Sequence, residues 1–454
     1  MHLPRSTSPS VGSDQDRSGR SRRTRRTLVV LGLGTAMFTA GALGLAPGPG
    51  GSTPDASTRP SPARAEAGSV AALQEHVRRL PQDAPGWAAL GMAYVQQARV
   101  TADPATYRRA EQALRVSLER EPKGNTDAET GMGALEAARH DFGASLAWAR
   151  RAVSDAPYSS LAHGVLADAY TQLGRYDEAF AAVQRMSDLK PDAPALARAS
   201  YTFELRGDTG QATALMERSL DASGTPGERA FARAHLSLLA TESGRPGTGL
   251  RQADRGLAEL PGDAALLEAR GRAHQGLGHS ARALDDYTAA VAVAPLPGRL
   301  LALGELRESL GDARAARQQY AVLRAQDQVR RAGRRPADVD EILFAADHGG
   351  PADAVALGRQ AVRARPFLAV HDAYGWALHR AGRDREALAE ADLALALGTR
   401  SALFLYHRGM IHQALGEPAA ARADLGTALR LDPRFHPLHA PRARAALTRI
   451  DATP

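Results

Sequence analysis

Between residues 160 and 435 the apolar side chains recur at the three- and four-residue spacing of a helix face. Leu284, Tyr287, Ala290 and Val291 form one such stripe, and Ala387, Leu388, Ala391 and Ala394 form another. Glycine punctuates the stripes at Gly174, Gly207, Gly244, Gly278, Gly311, Gly349, Gly382 and Gly416, at intervals of 33 to 38 residues. Five residues after each glycine stands a small residue, from Ala179 and Ala212 to Ala387 and Ala421. Seven residues before it stands another, from Ala167 and Ser200 to Gly375 and Gly409, with Ile342 the one bulky member. Proline follows 17 residues after five of the eight glycines, at Pro191, Pro261, Pro295, Pro366 and Pro433.

Each column has a physical reason. Glycine takes the left-handed conformation that ends one helix and turns the chain into the next. The small columns let two helix axes approach. Proline lacks the amide donor a helix interior needs, so it closes the second helix. The spacing therefore predicts tandem helical hairpins of about 34 residues each. The units run over 84–124, 126–159, 160–192, 193–226, 230–263, 264–296, 297–330, 335–368, 368–401 and 402–435. The first carries an insertion around Val100–Ala105, and the second, fifth and eighth are degenerate. Val70–Pro81 reads as an unpaired second helix, and Pro441–Asp451 as a polar helix capping the last apolar face.

The columns resemble the tetratricopeptide repeat. Trp87, Leu90, Gly91 and Tyr94 match its first helix, and Leu166, Tyr170, Gly174, Tyr176, Ala179 and Pro191 match over one whole unit. Gly271, Gly278, Ala283, Tyr287, Ala290 and Pro295 match another, and Gly409, Gly416, Ala421, Leu425, Ala428 and Pro433 the last. The resemblance implies an all-α chain: a right-handed superhelical α-solenoid of about ten such hairpins, which binds a protein or peptide and has no catalytic activity. Its ligand face would be the concave one, built from first helices. Transferring those columns gives Tyr201, Glu204, Glu268, Arg272 and Glu305 in the middle of the array, and Asp372, Trp376, His379, Tyr406 and Met410 near its end. Trp376, Tyr406 and Met410 form an aromatic group that is either an exposed hot spot or, with Trp376, the filling of a hairpin interface. The lysine and asparagine clamp of the chaperone-adaptor subgroup is missing, since Lys123 and Lys190 are the only lysines and neither is in these columns.

Charge adds a boundary. The chain carries +7, but residues 1–26 hold seven arginines against Asp14 and Asp16, so the rest is close to balanced. Phosphate binding needs clustered cations on the folded part, so no nucleic-acid partner is expected. Residues 1–27 read as a basic cytoplasmic tail. Leu28–Ala46 has no charged residue over 19 positions, near the hydrocarbon thickness of a bilayer as a helix. It is either a transmembrane anchor or a signal peptide cleaved after Ala42 in Ala40-Gly41-Ala42. Thr24-Arg25-Arg26-Thr27-Leu28-Val29 is similar to the twin-arginine export motif, and it also fits a plain basic flank of the positive-inside kind. Residues 47–68, rich in Pro, Gly and Ser, form a linker. An uncleaved 28–46 segment would contact the membrane. Both readings place the array of 69–435 and the capping segment 436–454 outside the cytoplasm, on a membrane anchor or secreted. The arginine-rich, lysine-poor composition is that of a GC-rich bacterial genome.

Catalytic patterns are missing: there is no G-x-S-x-G, H-E-x-x-H or phosphate loop. Cysteine is absent too, which removes thiolate chemistry. His371, His379, His407, His412, His436 and His439 crowd the end of the array. His436 and His439 have a spacing that suits a metal pair, but Pro437 separates them and no cysteine or close carboxylate completes a shell. No metal, no other cofactor and no turnover are expected. An accessory role in assembling an exported enzyme or metal system is the alternative function.

Overall fold

The computed structural model describes residues 69–101, 104–333 and 335–452, so the proposed tail, export segment and linker lie outside the described residues. The described residues form 22 helices and no strand. A single helix α1 (Val70–Arg79) comes first, followed by ten helix pairs. These are α2 (Ala84–Thr101) with α3 (Pro104–Arg120), α4 (Thr126–Ala138) with α5 (Phe142–Asp155), α6 (Ser160–Gln172) with α7 (Tyr176–Leu189), and α8 (Ala193–Leu205) with α9 (Thr209–Asp221). Next are α10 (Pro226–Glu242) with α11 (Pro246–Glu259), α12 (Ala264–Leu277) with α13 (Ser280–Val293), and α14 (Pro297–Ser309) with α15 (Ala313–Ala332). The last are α16 (Val339–His348) with α17 (Pro351–Ala364), α18 (Leu368–Arg380) with α19 (Asp384–Leu395), and α20 (Ala402–Ala414) with α21 (Pro418–Leu431). Helix α22 (His439–Ala452) lies on the last pair, with Ala440, Ala443, Ala446 and Ile450 buried. None of the described helices is long and apolar enough to cross a membrane.

The hairpins expected from the periodicity are the hairpins observed. Irregular spacings are absorbed as helix length: α2 and α3 run to 18 and 17 residues where α6 and α7 have 13 and 14. The long interval before Gly349 comes from the 20 residues of α15. Seven of the eight column glycines have the expected positive φ, between 67° and 84°. Gly349 does not; it ends α16 at φ −126°, ψ −145°. The degenerate second unit shows what replaces glycine, because His140 takes the turn at φ 63°. The small column seven residues before the turn makes room for a large side chain on the partner helix. A methyl group at Gly304 would come within 2.4 Å of the Tyr320 ring, and one at Gly271 within 3.0 Å of Tyr287.

The array coils far enough to touch itself. The Leu368 N–H donates to the Tyr176 hydroxyl oxygen at 2.9 Å, across 192 residues of sequence. Thr399 Oγ1 donates to the Leu205 carbonyl at 2.5 Å, and Arg365 Nη1 to Gln172 Oε1 at 3.3 Å, at separations of 194 and 193 residues. One superhelical turn is therefore about 190 residues, between five and six hairpins. Leu205 belongs to the same core cluster as the last three hairpins, with Tyr176, Phe180 and Tyr201 packed against it.

Candidate binding groove

Because the second turn comes back against the first, the concave face is walled on two sides and stays partly open. It forms a cavity of about 400 Å³ walled by α8, α10, α12, α14 and, from the other side, by segments 367–369, 399–404 and 432–436. Of the ten residues placed on this face by the repeat columns, Tyr201, Glu204, Glu268 and Arg272 line the cavity. The first two stand near the end of α8 and the others in the middle of α12, both first helices of their pairs.

The other six lie elsewhere. Glu305 is 4% exposed and holds His348 Nε2 at 3.0 Å and His436 Nε2 at 2.9 Å. Asp372, Trp376 and Tyr406 are 1%, 2% and 1% exposed, so the aromatic group fills an interface and offers no exposed hot spot. Trp376 stacks on His407 at 4.3 Å between ring centroids and donates its indole N–H to Asp347 Oδ2 at 3.1 Å. Asp372 is bound by His407 Nδ1 at 3.0 Å, and Tyr406 stacks on His439 at 4.8 Å. His379 pairs with Asp384 at 2.6 Å, and Met410 packs partly buried against the terminal core. The cause is steric. Trp376 and Tyr406 are packed between neighbouring first helices and against Phe435 and His439 of the C-terminal segment. The two histidines weighed as a metal pair work in this seam, His436 against Glu305 at 2.9 Å and His439 against Asp347 at 3.2 Å. Among the described residues no three His, Asp or Glu side chains are placed to hold a metal ion.

Residues the columns did not supply complete the cavity wall: Glu242, Asp340, Asp432, Arg299, Phe367 and Phe404. Their signal is the superhelical turn length, which brings Phe367 and Phe404 opposite Tyr201. Arg272 donates to Glu242 at 3.2 Å and Arg299 to Glu268 at 2.8 Å. Burial pushes the Glu204 carboxyl up to about 8, and the Glu242 carboxylate adds to the rise. Burial pushes Asp340 up to about 8 as well, with Asp338 and Glu268 adding to it. Both residues line the cavity and are half-buried.

A carboxyl whose pKa rises on folding favours the fold while it is protonated. The contribution of Glu204 is intact below its unfolded value of about 4.5 and is lost as the pH climbs through about 8. Glu204→Gln is therefore expected to match the parent near pH 4 and to exceed it at pH 8.5 by on the order of 2 kcal/mol, its access to the cavity keeping it below the full linkage value. Urea unfolding of both chains at the two pH values checks this. Equal shifts at both would show that the carboxyl is well solvated.

The tetratricopeptide repeat family model matches residues 162–192 and 402–435, the third and tenth hairpins. No curated protein matches the sequence. Among solved structures the chain is similar to PilW, a type IV pilus biogenesis factor, at 19% identity over 44% of this chain and 92% of that one, TM-score 0.38. It is similar to the tetratricopeptide repeat protein TTC0263 of Thermus thermophilus at 20% identity over 37% and 91%, TM-score 0.34. Human IFIT1, solved as a dimer with m7Gppp-AAAA, is 13% identical over 80% of this chain and 85% of its own, TM-score 0.46.

Proposed function

We propose that this chain, a tetratricopeptide repeat protein, is a non-enzymatic scaffold of the bacterial cell envelope that takes a protein or peptide segment into the lumen of its superhelix. The observation that carries this reading is the cavity itself: four first-helix residues of the repeat columns converge on one space of about 400 Å³, large enough for a few side chains. The walls are set by helix packing before any guest arrives, so the receptor loses little conformational entropy on binding. Two features support location outside the cytoplasm: the uncharged Leu28–Ala46 segment and the arginine-rich stretch before it. The assembly-factor alternative drew on the late histidines, and His436 and His439 are already engaged by Glu305 and Asp347.

Photo-crosslinking in the native host tests the reading. A benzophenone side chain placed at Ser401, on the cavity wall, is expected to capture a discrete partner, and one at Tyr158, 77% exposed on the outside, is not. Adding Ala302→Trp, which fills the cavity, is expected to abolish the adduct. An adduct indifferent to that plug would put the partner elsewhere. Mass spectrometry of the captured chain's N-terminus reads the export step, with a start at Leu43 marking cleavage after Ala42.

A further inference from the structure

One wall of the lumen is the connection between α21 and α22, from which Asp432, Phe435 and His436 line the cavity. Two histidines fasten this segment to helices far upstream. His436 Nε2 meets Glu305 Oε2 of α14 at 2.9 Å, and His439 Nε2 meets Asp347 Oδ2 of α16 at 3.2 Å. Otherwise Phe435 packs on Tyr406, and Arg434 donates to the Gly276 carbonyl at 3.3 Å. The remaining ring nitrogens fix the protonation of both histidines. His436 Nδ1 accepts the backbone N–H groups of Leu438 and His439, both at 3.2 Å, and so caps the start of α22. His439 Nδ1 lies 3.4 Å from Arg442 Nη1, and a guanidinium can only donate. Both Nδ1 atoms are therefore acceptors, and each imidazole is neutral with its one hydrogen on Nε2.

A second proton has no place in the closed segment. On His436 it would displace two amide donors, and on His439 it would confront Arg442. Both rings stand at the N-terminus of α22, whose dipole opposes positive charge. Other bases crowd the same seam. His407 of α20 lies edge-on to His439 at 5.9 Å, Arg380 of α18 is 3.7 Å from Asp347, and His348 of α16 faces Glu305 at 3.0 Å and Glu308 at 3.6 Å. The acids are already engaged, Glu305 by His348, Asp347 by the Trp376 indole N–H and Asp372 of α18 by His407. Tyr406, stacked on His439, is pushed up to about 12 by burial and stays neutral. Burial lowers the His439 imidazole to about 4, with His436 adding to the fall and Asp347 opposing it. A histidine lowered on folding stabilises the closed form above its unfolded value of 6.5, and that contribution is lost as the pH falls toward 4.

We propose that segment 432–439 is an acid-sensitive latch on the lumen: when His436 and His439 each take a second proton, the segment lifts from α14 and α16, the cavity loses the wall made by Phe435 and His436, and the guest is released. Guest release rests on the lumen-binding reading, whereas the latch itself does not.

Hydrogen exchange read by mass spectrometry on the full-length chain tests the latch without a guest. After correction for intrinsic rates, peptide 432–441 is expected to exchange at least tenfold faster at pH 5.0 than at pH 7.5, and peptide 104–120 of α3 to be unchanged. His436→Gln combined with His439→Gln keeps an amide donor for each carboxylate and takes no proton. Its peptide 432–441 is expected to change less than threefold between the two pH values. His439→Phe, which keeps a ring stacked on Tyr406, is the second variant and is expected to lose most of the pH dependence. A parent segment equally protected at both pH values would overturn the latch, as would the parent's pH dependence persisting in either variant. A segment open at both pH values in both variants would overturn the titration and leave the histidines as structural partners. Crosslinking at Ser401 in cells held at pH 7.5 or 5.0 reads the guest separately. Capture lost at pH 5.0 in the parent and retained in the double variant supports release, and equal capture at both pH values by the parent would overturn it. If no partner is captured at either pH, the lumen reading fails while the exchange result still decides the latch.

Discussion

Arg365→Met is expected to lower the free energy of unfolding by about 3–5 kcal/mol, the loss seen when one partner of a buried ion pair is removed. Arg365 and Asp338 are each 5% exposed and bound to one another. Burial alone would raise the Asp338 carboxyl, but Arg365 and His140 together pull it below the usual carboxylate range. Arg365 also donates to Gln172 Oε1 at 3.3 Å, lies 3.4 Å from His140 Nδ1, and sits over the Phe142 ring at 5.8 Å. Asp338 caps α16 and Arg365 follows α17, whereas Gln172 ends α6 and His140 turns α4 into α5. One guanidinium thus joins two successive superhelical turns. Removing it strands a buried carboxylate and opens the seam. Replacing both members, Arg365→Met with Asp338→Asn, is expected to recover about 1–2 kcal/mol of the loss, in the range a double-mutant cycle finds for contacting groups. Urea unfolding of the four chains measures the cycle. A loss below about 1 kcal/mol for Arg365→Met would mean that this contact does not couple the turns.

The hairpins were legible because everything that makes one is local. Helical stripes, a glycine turn and a closing proline act over fewer than 40 residues, and each leaves a column in the sequence. The way the hairpins coil is not local. It accumulates small rotations from unit to unit, and no residue marks the sum. That is why Tyr201, Glu204, Glu268 and Arg272 were found on the concave face, yet Phe367, Phe404 and Asp340, their neighbours across the cavity, were not. It is also why Trp376 and Tyr406 were placed in a column that left two environments open to them. The same column position faces the cavity in the middle of the array and, at the end, packs against the neighbouring hairpins and Phe435 and His439 of the C-terminal segment. His436 and His439 carry the same lesson, since their carboxylate partners Glu305 and Asp347 lie 131 and 92 residues upstream.

The glycine column separates these two levels experimentally. Gly207 and Gly416 occupy the same repeat position with φ of 74° and 77°, so alanine at either incurs the same left-handed strain, about 1–2 kcal/mol. Their surroundings differ. A methyl group at Gly207 would lie 2.2 Å from the Gly398 carbonyl oxygen, across the seam, and one at Gly416 meets nothing within 4 Å. The obstruction at Gly207 is backbone, which cannot swing aside as a side chain can, and the Thr399 bond to the Leu205 carbonyl is anchored beside it. Gly207→Ala is therefore expected to cost about 2 kcal/mol more than Gly416→Ala, the penalty of overpacking added to that of the turn. Thermal and urea unfolding of the two variants gives the comparison directly. The excess should vanish in a chain truncated after residue 397, if that chain folds, because the carbonyl that causes the clash is then gone. Equal losses at the two glycines in the full chain would show that the successive turns do not press together, and the lumen would lose its second wall.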